Sequence, residues 1–422
     1  MKRNIVLFLL LIFNGIVFSQ LRQILVLNEG AYDYVNDKIL VPVSIGSFDP
    51  VNNLYTKRNE IAGARFASDI VIDDNSYWVA ADKNIVEYDL VTNQIVGVHI
   101  VEGVRKIAFY DDLLIVTRGE YLKTFSSYLQ IYNKNTFSLL FEIPFVDMPF
   151  TTESIIIKDA IAYVAVNNGF DFGNEVGKIL KLDLKNLKWI ETIDLGQDGK
   201  NPENLMLKND LLVSLNNKNF TGSSVSLINS VSSEVSTYNL SNVNSLCGTS
   251  TLVGETVIYQ EIGKTDLGSF EISTRQSGFL KNLNKSFYGM TYDPKSKYLC
   301  AAETDFRTTG RVYIYDLDFK ELFSFDAGIT PGYFAFDYEA SVGVRDIKSL
   351  EFEISPNPIH SKFKIISRQT IEEIKVLDFY GRELLRKETV SIDLNELQAG
   401  PYILMIRAKD EVAYRRFIKV SN

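Results

Sequence analysis

The sequence predicts an all-β protein in which a seven-bladed β-propeller is followed by a small Ig-like β-sandwich domain. Three observations support this fold class. The 422 residues include 27 Phe and 22 Tyr but two Trp, a bias that suits the half-buried faces of pleated strands. Short apolar runs rich in Val and Ile recur in groups of four along most of the chain. No segment of this repetitive part carries a helical apolar period over a dozen residues.

One segment, Ser68–Ile100, shows the repeat unit. It consists of short apolar runs separated by polar turns, with an Asp-Leu turn before the last run. Four strands of this kind make one propeller blade. The same pattern gives six full units, whose first strands begin near residues 67, 104, 152, 202, 246 and 287. Extra residues fall mostly between the second and third strands, for instance at 167–177 and 216–223.

A seventh unit is divided between the two ends of the repetitive part. Gln23–Gly30 and Val43–Asp49 supply later strands, and Pro331–Tyr338 supplies an innermost strand with no further strand after it. Sharing one blade between the two ends would close the ring and remove two exposed sheet edges. Six or eight blades, a β-sandwich and a β-solenoid stay open as alternatives, although a solenoid requires shorter and more uniform repeats.

The N-terminus has the features of a cleavable signal peptide over residues 1–19. Lys2 and Arg3 precede the apolar run Ile5–Phe13, which is too short to span a bilayer. No other apolar run approaches the length of a membrane helix, so the sequence predicts no transmembrane span. The expected organisation is a signal peptide at 1–19, the propeller at 20–340, a polar linker at 341–350 and a C-terminal domain at 351–422.

The charge and composition of the chain argue against several classes of function. The formal net charge is −9, and removal of Lys2 and Arg3 with the signal peptide gives −9 − 2 = −11. An acidic chain without a basic run is a poor partner for nucleic acid or an anionic membrane. Two histidines, His99 and His360, leave little room for a histidine-based metal site or triad. Neither a metal nor another cofactor is predicted.

The chain has two cysteines, Cys247 and Cys300. An exported protein can form a disulfide, but two cysteines do not define a disulfide framework. A bridge and a pair of small buried apolar residues both stay open, because sequence spacing does not give the distance between the two Cα atoms.

The repeat pattern, together with the opening segment Val26-Leu-Asn-Glu-Gly-Ala-Tyr, resembles the YncE-like and surface propellers found beside nutrient-uptake receptors. The resemblance covers residues 21–340. This chain has Ala31-Tyr32-Asp33 where the group usually has Asn-Phe-Gly. The resemblance implies a binding propeller with an outer-membrane receptor as a candidate partner. Some relatives bind cobalamin at the bacterial surface, which makes cobalamin a candidate ligand.

The C-terminal residues carry several ordered motifs. Pro356-Asn357-Pro358 opens the domain, and the segments Val376–Arg382, Asp393–Tyr402 and Arg415–Val420 follow. Together they resemble the type A C-terminal sorting domain of type IX secretion cargo, and the alternative is a generic Ig-like module. The resemblance implies docking on the type IX secretion machinery, passage through the periplasm and a secreted or outer-surface location. In that family the domain can be removed or exchanged for a surface anchor.

Candidate site residues follow from the expected geometry of a propeller, whose innermost strands meet at the mouth of a central channel. The first residues of the inner strands and the loops between second and third strands converge there. The strand positions are Arg65, Asp69, Arg105, Glu153, Glu203, Asn204, Tyr288 and Tyr333. The loop positions are Arg118, Tyr121, Asn167, Phe170, Asn216, Asp305, Phe306 and Arg307.

Carboxylates, amides, arginines and aromatic rings together suit a polar organic ligand. For Asp69, Glu203 and Asn204 the alternative is structural, because such side chains also bind the backbone amides at the start of a strand. The sequence contains no Gly-x-Ser-x-Gly elbow, His-Glu-x-x-His helix or phosphate loop. No catalytic residue is therefore assigned.

The predicted function is a secreted or cell-surface binding protein that captures a small ligand or nutrient, or holds a protein partner. A first alternative is a secreted hydrolase or lyase in which Glu153, Glu203 and Asp305 face one cavity, although their spacing gives no support for it. A second alternative is a purely structural surface or adhesion protein.

Overall fold

The computed structural model describes residues 20–218, 222–240, 243–261, 263–339, 352–355, 359–367, 371–378, 382–387, 391–408 and 411–420. The described residues form two compact units, which separate after Glu339. The predicted signal peptide at 1–19 and the predicted linker at 341–350 lie outside the described residues. The same is true of Pro356-Asn357-Pro358 and of the turn residues Tyr380 and Gly381.

The first unit, Gln20–Glu339, is built almost entirely from β-strands. Its first nine strands are β1 (Leu21–Asn28), β2 (Ala31–Asp33), β3 (Lys38–Val41), β4 (Val43–Asp49), β5 (Leu54–Ile61), β6 (Asp69–Asp73), β7 (Ser76–Ala81), β8 (Asn84–Asp89) and β9 (Ile95–Ile100). The next twelve are β10 (Val104–Tyr110), β11 (Leu113–Arg118), β12 (Ser127–Asn133), β13 (Leu139–Pro144), β14 (Thr152–Lys158), β15 (Ile161–Val166), β16 (Lys178–Asp183), β17 (Lys188–Asp194), β18 (Pro202–Lys208), β19 (Leu211–Asn216), β20 (Ser223–Asn229) and β21 (Val235–Leu240). The last nine are β22 (Ser245–Val253), β23 (Thr256–Glu261), β24 (Asp266–Glu271), β25 (Gln276–Asn282), β26 (Gly289–Asp293), β27 (Tyr298–Glu303), β28 (Thr309–Tyr315), β29 (Glu321–Ile329) and β30 (Pro331–Tyr338).

Among the described residues, the strands of the first unit form seven four-stranded antiparallel sheets and the small two-stranded sheet β2–β3. Six of the large sheets are meanders of consecutive strands: β6–β9, β10–β13, β14–β17, β18–β21, β22–β25 and β26–β29. The remaining large sheet has the order β30-β1-β4-β5, so the two ends of the unit share a sheet. In that sheet Leu25 of β1 lies opposite Ala335 of β30.

The first strand of each four-stranded sheet lies beside the first strand of the next sheet. β6 contacts β10, β10 contacts β14, and the series continues through β18, β22 and β26 to β30, which in turn contacts β6. These inner strands therefore form a closed, propeller-like cycle. β30 completes the cycle, because its sheet joins the C-terminal end of the unit to β1 near the N-terminal end.

Burial falls from the middle of each sheet to its outer edge. Second strands such as Ser76–Ala81 and Ile161–Val166 are nearly continuous apolar runs and are buried, as expected for strands covered on both faces. Outermost strands such as Ile95–Ile100 are largely exposed. Apolar side chains fill the spaces between neighbouring sheets, where for example Trp78 of β7 and Leu114 of β11 belong to one core cluster.

In five of the described sheets, an Asp or Asn side chain in the turn between the third and fourth strands accepts the backbone N–H groups two and three residues ahead. Oδ1 of Asp89 accepts hydrogen bonds from the backbone N–H groups of Val91 and Thr92 at 3.1 and 2.6 Å. The same arrangement recurs at Asp49, Asn133, Asp183 and Asn229. These residue types suit the position because their short side chains reach the amides two and three residues ahead. We call these five positions the outer turns.

Cys300 lies on β27, is fully buried and carries a free thiol. Burial raises the pKa of this thiol well above its ordinary value, which disfavours the reactive thiolate. The side chain of Cys247 lies outside the described residues. Cys300 therefore behaves as a small buried apolar residue.

The C-terminal unit is also all-β. Its strands are β31 (Phe352–Ser355), β32 (Lys362–Ser367), β33 (Glu373–Leu377), β34 (Glu383–Lys387), β35 (Ser391–Asp393), β36 (Gly400–Ala408) and β37 (Glu411–Lys419). β31, β32 and β35 form one antiparallel sheet, and β34, β33, β36 and β37 form another. One apolar core joins the two sheets, with Phe363 and Ile392 from the first and Ile374, Leu404 and Phe417 from the second.

Candidate ligand-binding site

A cavity of about 880 Å³ lies where the inner strands of the first unit meet. Its wall includes residues of β6, β10, β14, β18, β22, β26 and β30, and also Glu29, which follows β1. Four carboxylates, two basic groups and six aromatic rings line it: Glu29, Asp69, Glu153 and Glu203; Arg105 and Lys106; and Phe66, Phe170, Phe172, Tyr288, Tyr333 and Phe334. This size and this mixture of rings and polar groups suit a small organic ligand.

Nine of the residues predicted from the sequence line this cavity. They are Asp69, Arg105, Glu153, Asn167, Phe170, Glu203, Asn204, Tyr288 and Tyr333. Seven of them lie at or next to the beginning of an inner strand, and the other two lie in the loop between β15 and β16. The structure brings them together because every inner strand begins at the cavity.

Irregular pairing at the start of several inner strands places consecutive side chains in the cavity wall. The register of β10 against β11 shifts between Val104 and Ile107, and β14 and β18 show similar shifts at their starts. Neighbouring side chains of a regular strand point to opposite faces, whereas a β-bulge interrupts that alternation. Arg105 and Lys106 therefore both line the cavity.

Arg105 and Glu153 form a bidentate ion pair between two neighbouring inner strands. Arg105 donates from Nε to Oε2 of Glu153 at 2.9 Å and from Nη2 to Oε1 at 3.2 Å. The guanidinium also lies over the ring of Phe170, 5.1 Å from its centroid. Two parallel hydrogen bonds and a ring face fix the guanidinium plane, so this pair forms a rigid part of the wall.

Lys106 lines the cavity although the sequence analysis did not single it out. Its ammonium donates to the carbonyl oxygen of Ser68 at 2.5 Å, lies 4.0 Å from Oδ1 of Asp69, and lies 4.1 Å from the centroid of the Tyr333 ring. Oδ2 of Asp69 also accepts the backbone N–H of Ile107 at 3.0 Å. Burial raises the pKa of Asp69 even though the positive charge of Lys106 opposes that shift.

Glu29 is the second charged residue of the wall that was not predicted from the sequence. The hydroxyl of Tyr288 donates to its Oε1 at 2.6 Å. Burial raises the pKa of Glu29 to about 7, against the opposing effects of the Tyr288 hydrogen bond and of the charges on Arg105 and Lys106. Gly332 leaves room for the pair, because a Cβ at that position would lie 2.9 Å from Cε1 of Tyr288. Glu29 therefore titrates near neutral pH within the cavity wall.

Asn204 ties inner strands together as well as lining the wall. Its Nδ2 donates to the carbonyl oxygen and to Oγ of Ser250, at 2.9 and 3.0 Å, which connects β18 to β22. In the same strand the backbone N–H of Leu205 donates to Oγ of Ser154 at 3.1 Å, which connects β18 to β14. Asn204 therefore has a structural role, but its partners are a carbonyl oxygen and a hydroxyl and not the strand-start amides of the structural interpretation.

Arg65 and Arg118 are not among the residues that line the cavity, and other groups bind their guanidinium groups. Arg65 donates to Oδ2 of Asp82 at 3.0 Å and to Oε1 of Glu120 at 2.7 Å. Arg118 is buried, and its Nη1 donates to the carbonyl oxygen of Ser127 at 2.8 Å. Both arginines connect loops to strands, and residue type and spacing alone do not distinguish that role from binding.

Asp305, Phe306 and Arg307 lie in the loop between β27 and β28 and are not part of the cavity wall. Oδ1 of Asp305 accepts the backbone N–H groups of Thr308 and Arg307 at 2.7 and 2.9 Å, which lowers the pKa of Asp305 to about 2. Phe306 packs edge-on against Tyr288, with ring centroids 5.2 Å apart. Asp305 is a turn residue outside the wall, so the alternative in which Glu153, Glu203 and Asp305 face one cavity is not formed.

Asn216 and Tyr121 also lie outside the wall. Asn216 is buried, and its Nδ2 donates to Oγ of Ser224 and Oγ of Ser226 at 3.0 and 2.8 Å. Tyr121 is exposed and packs against Phe172, whose ring lines the cavity, with centroids 5.7 Å apart. Asn216 therefore has a structural role, whereas Tyr121 lies at the edge of the cavity.

Two features are absent from the described residues. These residues contain no group of three or more His, Cys, Asp and Glu side chains that could bind a metal ion. They also contain no helix that is long and apolar enough to cross a membrane.

Several solved structures of low sequence identity have a similar fold. The extracellular domain of a proposed one-component system of B. thetaiotaomicron gives a TM-score of 0.50 at 15% identity, over 96% of this chain and 57% of that chain. The extracellular domain of a proposed hybrid two-component system of the same organism gives 0.51 at 14% identity, over 95% and 57%. A hypothetical selenium-binding protein of Sulfolobus tokodaii gives 0.57 at 10% identity, over 76% and 95%. This chain spans 57% of the length of the two extracellular domains, and identities this low show the fold alone.

No curated protein matches the chain in sequence. Residues 353–420 match one family, the secretion system C-terminal sorting domain. The match covers nearly all of the C-terminal unit, whose two sheets share one core. Residues 353–420 are therefore a type IX secretion sorting domain, which interacts with the secretion machinery, and the protein is secreted or displayed at the cell surface.

Proposed function

We propose that residues 20–340 form a seven-bladed β-propeller that binds a small ligand or nutrient in its central cavity outside the cell. The closed cycle of inner strands, one from each four-stranded sheet, supports the propeller. The sorting domain supports the location, because export brings the cavity into contact with molecules outside the cell. Through the resemblance to surface propellers, cobalamin is a candidate ligand and an outer-membrane receptor a candidate partner.

The proposed organisation keeps the boundaries expected from the sequence. Residues 1–19 act as a cleaved signal peptide, residues 341–350 as a linker, and residues 351–422 as an Ig-like β-sandwich that docks on the type IX machinery. Lys2, Arg3 and the apolar run after them support the signal peptide. Two antiparallel sheets around one core support the sandwich.

The observation that carries the binding function is the wall of the 880 Å³ cavity. Its charged side chains come from several sheets and are fixed by contacts such as the Arg105–Glu153 ion pair. Burying polar and charged groups costs free energy, so a wall of this composition is expected where a ligand makes use of those groups.

Filling the cavity tests the proposal. Thr291 of β26 lines the wall, and Thr291→Trp adds an indole ring to the cavity. We expect isothermal titration calorimetry with a nutrient panel that includes cobalamin to show saturable binding to the unmodified protein and at least tenfold weaker binding to this variant. Thr274→Trp, at an exposed turn between β24 and β25, is the matched control and should bind normally.

Equal binding by both Trp variants would show that the ligand binds elsewhere, which contradicts the proposal. Absence of binding by the unmodified protein across the panel would instead favour the structural or adhesion alternative. Far-UV circular dichroism of both variants shows whether either substitution has disturbed the strands.

A secreted hydrolase or lyase is the second candidate, and one observation favours it. The pKa of Glu29 is raised to about 7, where a carboxyl group can exchange a proton at neutral pH. Turnover of a glycan or lactone panel by the unmodified protein, with loss of that turnover in Glu29→Gln, would support catalysis. Saturable binding without turnover would leave the binding function alone.

A further inference from the structure

The cavity wall contains more acidic than basic groups. Its four carboxylates, Glu29, Asp69, Glu153 and Glu203, stand against two cations, Arg105 and Lys106. When all six groups are ionised, the wall carries a net charge of −4 + 2 = −2. A concave site of one sign, with walls of low dielectric constant, concentrates the field and attracts ligands of the opposite sign.

Each of the two cations lies close to a carboxylate of the wall. Arg105 makes its bidentate pair with Glu153, and Lys106 lies 4.0 Å from Asp69. Glu29 contacts the neutral hydroxyl of Tyr288, while Arg105 and Lys106 act on it through their charges. Burial disfavours the ionised form of Glu29, so a positive charge placed beside it would stabilise that form.

The aromatic rings of the wall already accept cations. The Lys106 ammonium lies 4.1 Å from the centroid of Tyr333, and the Arg105 guanidinium lies 5.1 Å from the centroid of Phe170. Cations bind ring faces through the quadrupole of the ring, and the attraction grows when water is excluded. Phe66, Phe172 and Tyr288 supply further ring surface in the same wall.

We propose that the cavity selects a small organic cation, whose amine or guanidine group binds Glu29 and Tyr288 and whose apolar or aromatic body packs against the rings. This proposal rests on the proposed function, because it assigns a ligand class to the same cavity. Opposite charges a few ångströms apart in a partly buried site attract strongly, whereas an anion of the same shape would meet a net negative wall.

Binding of the cation should be linked to the proton of Glu29. An ammonium beside Glu29 favours the carboxylate and lowers its pKa from about 7, so binding near pH 7 releases a proton. The titratable and charged groups that face this region are Tyr34, Asp69, Arg105, Lys106, Glu153, Tyr288 and Tyr333. The phenol pKa of Tyr333 is raised well above 10, mainly by burial, so it stays protonated near pH 7.

Three indole probes that differ in charge test the proposal: tryptamine, tryptophol and indole-3-acetate. Calorimetry on the full chain at pH 7 should show tryptamine binding at least tenfold more tightly than tryptophol, and indole-3-acetate binding more weakly still. Glu29→Gln should reduce the affinity for tryptamine about tenfold and leave that for tryptophol unchanged. Glu234→Gln, at an exposed turn outside the cavity, is the matched control.

Proton release provides the second readout. Phosphate and Tris have different enthalpies of ionisation, so the difference in binding enthalpy between the two buffers is proportional to the number of protons released. We expect proton release on tryptamine binding in the unmodified protein but not in Glu29→Gln. Tighter binding of tryptophol or indole-3-acetate that Thr291→Trp abolishes would overturn the cation proposal while leaving the cavity as a ligand site. Failure of tryptamine to bind at millimolar concentration would also overturn it.

Discussion

Asp89 and Asp183 of the outer turns and Asp69 and Glu29 of the central cavity all carry carboxyl groups, but folding shifts the pKa values of the two pairs in opposite directions. At Asp89 and Asp183, hydrogen bonds from residues of the same turn lower the pKa. At Asp69 and Glu29, burial raises it. The outer turns satisfy each carboxylate locally and in water, whereas carboxylates of the wall are desolvated and contact groups from other sheets.

This difference shows that the environment separates the carboxylates Asp89 and Asp183 of the outer turns from Asp69 and Glu29 of the cavity wall. A turn carboxylate with a lowered pKa contributes to folding at neutral pH, while a wall carboxylate with a raised pKa has an unfavourable ionised form. Unfavourable charged groups collected around one cavity are expected where they act on a ligand. The following predictions test that comparison, beginning with the largest expected effect.

The Arg105–Glu153 ion pair of the cavity wall should contribute much more to the free energy of unfolding than the exposed Arg311–Asp326 pair. Arg105→Met leaves Glu153, whose side chain is 8% exposed, without its bidentate partner, and we expect a loss of about 3 kcal/mol in the free energy of unfolding. Arg311→Met breaks the exposed pair with Asp326 and should cost less than about 1 kcal/mol. Urea unfolding measures both losses, and equal losses would remove the distinction between wall and edge.

Glu29 should make the protein less stable as the pH rises from about 4.5 to about 7. Its pKa is about 7 in the folded state and 4.5 ordinarily, so the folded state binds the proton more tightly. The contribution of protonated Glu29 to the free energy of unfolding is fully present below pH 4.5 and is lost as the pH rises through about 7. Between pH 5 and 8, the melting temperature of Glu29→Gln should fall less than that of the unmodified protein.

The control for this prediction is Glu234→Gln, which should follow the unmodified protein across the same pH range. If Glu29→Gln and the unmodified protein had parallel profiles, Glu29 would not be desolvated in the folded state, and the contrast with the outer turns would lose its main example.

An outer turn should show the opposite pH dependence with a smaller effect. The lowered pKa of Asp89 gives a stabilisation that is present above its ordinary pKa and is lost as the pH falls through its folded value. Asp89→Ala removes the hydrogen bonds to Val91 and Thr92 and should lower the melting temperature slightly at pH 7. Asp89→Asn should keep the turn, because Asn133 closes an equivalent turn, but should lose the acid-dependent change.

Much of the strand pattern could be predicted from the sequence, because the outer turns and the buried second strands leave local signals. Asp89 marks a turn, and Ser76–Ala81 is a short apolar run between turns. The shared sheet of β1 and β30 was predictable for a similar reason, because a single strand pattern at Pro331–Tyr338 has no successor before the C-terminal domain.

The residues that line the cavity could be predicted where inner strands begin, but not where the local backbone is irregular. Arg105 was found by position, but Lys106 was missed because a bulge at the start of β10 interrupts the alternation of faces. Glu29 lies in the opening motif that carried the family resemblance, so a signal existed, but it follows β1 and not an inner strand. Asp305 was assigned to the site because the sequence does not distinguish a loop Asp that binds a ligand from one that binds backbone amides of its own turn. In the structure Asp305 binds the amides of Arg307 and Thr308.

The central claim is that burial in the cavity wall desolvates the carboxyl group of Glu29 and raises its pKa. The most direct test is an NMR titration of the protein labelled with ¹³C at the carboxyl group of glutamate, in which Glu29 is identified as the resonance absent from Glu29→Gln. The account predicts a midpoint near pH 7 for this resonance. A midpoint at or below its ordinary value of 4.5 would show that Glu29 is solvated like an exposed glutamate and would contradict the account.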